Sequence, residues 1–272
     1  MRGNKTASQK GQPLLVDTDS PRSDNLPCCG IKNPSHPGRC EKLRWLKENA
    51  EFGLRAKTLL APDGQPCGYI EYTPGEFAWR GVDARGYMFI HCVWVHAKQY
   101  QRKGWGRWMV QACLEDAKKE GKSGVAVMVR GGPWMTDRRL FLANGFESVD
   151  IAPPDCELLV RKFDKGAANP SFKGDWDRKL RRFRHGLTLI RSSQCPYIPK
   201  FTAEIIETAK KEYDVELNEV DLRSPDDAQN APTPYAVFSL IYEGRLLADH
   251  QISRTRFRNI MNKLKKQRLP PW

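Results

Sequence analysis

The stretch FIHCVWVHAKQYQRKGWGRWMVQACLEDAKK, Phe89–Lys119, constrains this chain more than any other. An apolar run runs directly into a basic turn holding Gly104 and Gly106, and from there into an amphipathic segment without proline. Glycine in a helix interior costs about 1 kcal/mol relative to alanine, so the pair is expected to serve something other than helix stability. A strand that feeds a glycine turn at a helix start presents unpaired amides and the positive end of the helix dipole to an anion. Gly104 and Gly106 let a phosphate approach the backbone, and Arg102, Lys103 and Arg107 add charge around it. Other phosphate loops do not fit. Gly121-Lys122-Ser123 resembles the end of a Walker A loop, but Asp116 stands where its first glycine belongs. A dinucleotide fingerprint lacks both its three glycines and its acid.

Strand and helix periodicity extends from this centre in both directions. Cys40–Leu54 reads as a helix, and AKTLLA and PCGYIEYTP as strands joined at Pro62-Asp63-Gly64. Tyr87–Val95 is the strand before the turn. The helix runs from about Gly104 to Glu120, with Trp108, Val110, Ala112, Cys113 and Leu114 as its apolar set. GVAVMVRGG supplies a buried strand, Asp137–Asn144 a short helix and Glu157–Phe163 a last strand. The pattern restarts after a charged segment, with strands at Gly186–Arg191, Val215–Asp221, Tyr235–Tyr242 and Arg245–Ala248 and helices at Pro199–Glu212 and Arg254–Lys266. The chain of 272 residues is long enough for two modest cores. The expected division is a flexible tail 1–27, a first domain 28–163, a linker 164–185 with a short helix around Trp176, and a smaller domain 186–268.

The formal charge of +13 sits in short clusters: seven Lys or Arg without an acid in Gln251–Trp272, and five in Arg178–Arg184. No finger, RRM or helix-turn-helix signature accompanies it, so nucleic acid is not favoured as the main partner. Leu14–Val16 is too short for a signal peptide or a membrane span. Eight scattered cysteines without a secretory signal favour free thiols and a cytoplasmic setting. Cys92 and Cys113 lie in apolar patterns and read as core. Cys28, Cys29 and Cys195 lie in turn-like sequence, and Cys195 precedes a helix whose amides and dipole are expected to lower its pKa.

Gln101-Arg102-Lys103-Gly104-Trp105-Gly106 resembles the Q/R-x-x-G-x-G/A signature of the GNAT acyltransferases, and Asn144-Gly145-Phe146 resembles their closing GF element. The likeness covers about Cys28–Phe163. It implies an α/β (α+β) mixed sheet with flanking helices, acetyl-CoA as co-substrate and no metal. The pyrophosphate would lie on the amides of Arg102, Lys103, Gly104, Trp105, Gly106 and Arg107, with Gln101 of the signature also counted among the cofactor-binding residues. Pantetheine would lie between two splayed strands beside Val93, Trp94 and Val95, with Asn144 near the closing element. The chemistry implied is attack of an acceptor amine on the thioester, which calls for a base and for an acid at the thiolate. The family's usual acid is a tyrosine, and Phe141 stands there. Candidates for the base are Glu71, Glu76 and His91; Trp79, Trp94 and Trp134 are candidates for an acceptor pocket.

The second half resembles a thioredoxin-like module, with Cys195-Pro196-Tyr197-Ile198 in place of CxxC and Pro234, expected cis, before a hairpin. Together with CGIKNP, GYIEYTPGEFAWR, SSQCPYIPK and LLADHQISRTRF, the whole is similar to the YoaP-like proteins. The reading is an acetyl-CoA-dependent N-acetyltransferase for an amine on a small molecule. Its rivals are a thiol-based redox or soft-metal protein using Cys28, Cys29 and Cys195, and a nucleic-acid-associated protein using the basic tail.

Overall fold

A computed structural model describes residues 13–18, 26–132 and 134–266. The chain opens with β1 (Leu14–Asp17), paired antiparallel with β2 (Arg55–Leu60). The expected tail 1–27 is therefore not uniform: one stretch of it closes an edge of the main sheet, while 1–12 and 19–25 lie outside the described residues. Between β1 and β2 lies α1 (Pro37–Asn49), three residues earlier than its apolar spacing suggested. Pro37 suits the first helical turn because it has no amide to leave unpaired, and the His36 ring accepts the Gly38 amide at 3.1 Å. The helix ends in a 3-10 turn at Ala50–Phe52 and Gly53.

Next come β3 (Pro66–Pro74), β4 (Val82–Asp83), β5 (Met88–Val95), α2 (Trp105–Lys119), β6 (Gly124–Val129), α3 (Arg138–Leu142), β7 (Glu147–Ala152) and β8 (Cys156–Lys162). The seven-stranded sheet has the order β1-β2-β3-β5-β6-β8-β7. Its pairs are antiparallel apart from β5 with β6, which are parallel. Side chains alternate across β5 as a strand requires: Met88 and Ile90 join the core under α2, and Phe89 joins the core on the opposite face. Helix α2 buries Met109, Val110, Cys113, Leu114 and Ala117. Trp108, expected inside, is 39% exposed, because it lies off that stripe.

Residues 164–185, expected as a linker, hold β9 (Ser171–Phe172), which pairs with β4, and α4 (Trp176–Leu180). The smaller domain contains β10 (Leu187–Arg191), α5 (Ile198–Tyr213), β11 (Leu217–Asp221), α6 (Pro225–Gln229), β12 (Phe238–Tyr242), β13 (Arg245–Ala248) and α7 (Arg254–Lys266). Its sheet has the order β11-β10-β12-β13, with β10 and β11 parallel and joined through α5. The peptide bond before Pro234 is trans, contrary to expectation; the cis bond among the described residues is Pro153-Pro154.

One apolar cluster joins the two sheets. It runs from Phe89, Ala126, Met128 and Leu158 of the first domain to Leu189, Ile205, Phe238 and Phe257 of the second, with Trp176 packed against it. Among the described residues no helix is long and apolar enough to cross a membrane. The domains also meet backbone to side chain: a Cβ on Gly38 of α1 would stand 1.8 Å from the Pro196 carbonyl oxygen. Gly38→Ala is therefore expected to destabilise the protein by about 1–3 kcal/mol, the usual cost of overpacking. Chemical denaturation measures this, and an unchanged midpoint would show that α1 and the Pro196 loop can move apart.

Candidate active site

The parallel pair β5 and β6 exchanges only three register partners, Met88 with Val125, Phe89 with Ala126 and Ile90 with Val127. Beyond them β5 runs on to Val95 and β6 to Val129, so the two strands separate and open a wedge in the middle of the sheet. A β-bulge starts the separation: Glu71 of β3 partners Cys92 and Tyr72 partners Ile90, leaving His91 as the extra residue. Bulges bend a strand and re-aim its side chains. Past the wedge, the Val93 carbonyl accepts the Thr136 hydroxyl at 2.7 Å and the Val95 carbonyl accepts the Gln101 amide at 2.9 Å.

Helix α2 begins beside the wedge without a side-chain cap. Its N-cap, Gly104, has φ 79°, a left-handed conformation in which any side chain would be strained, so this glycine is required by the turn itself. Arg102 is also left-handed, at φ 60°. Trp105 stacks on Tyr100 at 5.2 Å, and the Lys103 ammonium lies over both rings. Arg102, Lys103 and Arg107 are exposed around the uncapped amides. Gly106 faces a cavity of about 630 Å³ that extends from the wedge into the contact between the domains. Trp94 and Trp134, 42% and 41% exposed, stand on its rim with Asp137. The buried groups Arg80, His91, Gln194 and Tyr235 form its floor. Trp79 is buried away from it and donates its indole N–H to Asn49.

Glu71, expected as a base, is fully buried and already committed. It accepts from the Lys42 ammonium, from the Tyr69 hydroxyl at 2.7 Å and from the Gln194 amide at 2.9 Å. His91 Nδ1 stands 3.3 Å from it. Burial, the largest single influence, would raise its pKa, but Lys42 and His91 together outweigh it and hold the carboxyl far below the usual range. So firmly ionised and enclosed a group is a structural anion rather than a base. Burial likewise depresses His91 to about 4, and its Nε2 accepts the Trp79 amide at 2.9 Å. The imidazole is neutral and its basic nitrogen is occupied. Glu76 lies off the cavity and pairs with Lys122 at 3.1 Å. Asn144 spends its side chain on Gln111 and Leu140, pinning the end of α3 to α2. Phe141 is buried edge-to-face against Phe146 and brings no hydroxyl.

The cysteines divide in the same way. Cys29, Cys92 and Cys195 reach the cavity. The pKa of Cys195 is raised, not lowered: burial outweighs the Tyr197 amide, Lys42 and Arg80. Burial also pushes Cys92 up to about 12 and raises Cys29, while Cys28, off the cavity, is lowered by its neighbour Cys29. Among the described residues no group of three His, Cys, Asp or Glu could hold a metal. Part of the basic C-terminal charge is used inside the fold, where Arg254 and Arg258 pair with Glu207 and Glu212, each at 2.7 Å.

Sequence reasoning missed Lys42, Arg80, Gln194, Tyr197 and Tyr235. One signal was available: Lys42 sits on the helix stripe shared by Trp45 and Leu46, where a lysine is out of place without a buried partner.

Residues 23–134 match the Acetyltransferase (GNAT) family, and residues 217–259 match the YoaP-like family. An uncharacterized N-acetyltransferase YoaP of Bacillus subtilis is 28% identical over 252 residues, covering 89% of this chain and 95% of the relative. Among solved structures, a GNAT family N-acetyltransferase from Escherichia coli in complex with CoA is 16% identical at a TM-score of 0.40, over 62% of this chain and 93% of that one. An acetyltransferase from Salmonella typhimurium with acetyl-CoA is 19% identical at 0.41, over 59% and 98%.

Two outcomes follow from the buried charges. Glu71→Gln leaves the Lys42 ammonium without its anion and is expected to cost about 3–5 kcal/mol, whereas Lys42→Met with Glu71→Gln costs less than the sum of the single changes. A urea-denaturation cycle reads both; a stable but inactive Glu71→Gln would instead make the carboxylate catalytic. The depressed His91 pKa stabilises the fold fully above pH 6.5, and that contribution is lost as pH falls toward about 4. The loss amounts to about 3 kcal/mol, and His91→Gln should flatten that part of the stability profile.

Proposed function

We propose that this chain, a GNAT-family N-acetyltransferase with a YoaP-like C-terminal segment, moves the acetyl group of acetyl-CoA to a small-molecule amine held between its two domains. The observation that carries the reading is continuity. The uncapped start of α2, the wedge between β5 and β6 and the cavity share Gly106 and Val93–Val95. The pyrophosphate lies on the amides of the 102–107 turn, with Arg102, Lys103 and Arg107 as counter-charges. The pantetheine arm enters the wedge, and the acceptor occupies the floor beyond it.

Gln194, Cys195, Tyr197 and Tyr235 bring the second domain to the cavity wall. In this reading the YoaP-like half recognises the acceptor and carries out no dithiol exchange of its own. Its single thiol is kept protonated by burial.

The amine attacks the carbonyl carbon as the C–S bond breaks. CoA departs as a thiolate and takes up the proton that the amine sheds. With Glu71 committed to Lys42 and the basic nitrogen of His91 bonded to Trp79, the acceptor must arrive as the free amine. Burial and the nearby Arg80 charge both favour that form. Accordingly, kcat/KM is expected to rise about tenfold per pH unit up to the acceptor's own amine pKa, and the break should move when an acceptor of different pKa is supplied. A break at one pH for every acceptor would reveal an enzyme base. Gly106→Phe tests the placement of CoA: its ring would fill the start of the cavity, and acetyl-CoA affinity by calorimetry should fall at least about tenfold in a folded protein. Unchanged affinity would remove the wedge from the reading.

A further inference from the structure

The floor of the cavity holds a cation without an anion. Arg80 is 2% exposed, and among the described residues no carboxylate lies within 4.0 Å of its guanidinium. Its hydrogen bonds go to neutral oxygens: the Trp79 carbonyl at 2.6 Å, the His91 carbonyl at 3.1 Å and the Gln194 side chain, which spans both terminal nitrogens at 3.3 Å each. The Tyr235 ring lies 5.0 Å from the charge. Glu71 acts on Arg80 from further away and is already neutralised by Lys42. Cys195 and Cys92 reach the cavity as protonated thiols, and Asp137 belongs to the exposed rim, where it pairs with Arg139. The floor therefore carries about one uncompensated positive charge.

A buried charge without a partner is costly unless something in the working complex answers it. From this we infer that the acceptor carries a carboxylate and that Arg80 is its counter-charge, so that the substrate class is an amino acid or a closely similar amino-carboxylate. The inference rests on the acetyltransferase reading and deepens it. One guanidinium matches one negative charge; a phosphate dianion would leave charge over in a buried site. The two long contacts to Gln194 are the weakest Arg80 makes, so this is the side on which an anion can approach. Position fixes the rest. Arg80 donates to the carbonyl of His91, the bulge residue at which the wedge begins. A carboxylate beside Arg80 thus puts an amine two or three bonds from the carboxyl carbon, at the level of β5 where the thioester arrives in the proposed reading.

The test compares N-acetylated common amino acids with their carboxamides, titrated calorimetrically into the full chain with CoA present. Carboxylates are expected to bind roughly 100-fold more tightly than the matching amides. Arg80→Gln should erase that preference without changing the affinity for acetyl-CoA, and Arg80→Lys should keep part of it. The wild-type comparison needs no variant, so a folding failure of Arg80→Gln leaves the inference testable. Equal binding of the two members, or binding of neither in any pair, overturns it. Loss of acetyl-CoA binding in parallel titrations would strike the acetyltransferase reading instead, while a carboxylate preference would still stand.

Discussion

The buried ion pair of Lys42 with Glu71 joins four parts of the chain that sequence keeps apart. Lys42 comes from α1, Glu71 from β3, His91 from the bulge of β5, and Gln194 from the loop after β10. Neither charge reaches solvent, so each depends on the other and on the surrounding dipoles. Lys42 also bonds the Gln194 carbonyl at 2.6 Å and lies 4.0 Å from the Trp45 ring. The polar floor of the cavity hangs from this node, because Gln194, positioned by Lys42 and Glu71, is what contacts Arg80. The pair need not add stability over an apolar substitute to matter. Through Gln194, which bonds both Lys42 and Glu71, it also ties the second domain to the first, since another docking would leave these buried groups without the Gln194 carbonyl and amide.

Around this node the packing makes the second domain a wall rather than a tethered companion. The apolar cluster runs continuously from Leu158 to Phe257, and the Gly38 to Pro196 approach leaves no room for a methyl group. The segment between the domains is stitched to β4 through Phe172 and Val82. Interiors packed in this way transmit strain and resist small displacements. A cavity bounded by both halves is thus held to one shape.

Much of the scaffold was legible because its causes are local. The wedge strand, the glycine turn and α2 are fixed by periodicity and by a positive φ that Gly104 supplies. The misses have longer range. β1 is four residues long and gains its strand character from β2, some forty positions on. β7 is largely exposed and carries little apolar alternation, so its pairing with β8 leaves a faint trace. At the site, residue types are legible in the sequence but their partners are not. Glu71 and His91 resemble a base and its partner until Lys42, Trp79 and Gln194 arrive, the last of them 123 positions from Glu71. The helix that follows Cys195 predicts a low pKa, whereas burial between domains decides the direction. Arg80 is silent in the sequence because its meaning is the absence, among the described residues, of a neighbouring carboxylate, which no linear pattern displays.

The depth profile of the cavity also divides it by polarity. Its exposed rim, Trp94 and Trp134, lies at one end and its buried polar floor at the other, with Gly106 and Val93–Val95 along the wall between them. In the proposed reading the donor arm takes that wall and the acceptor the floor, so the two ligands meet inside one enclosure and each completes the site of the other.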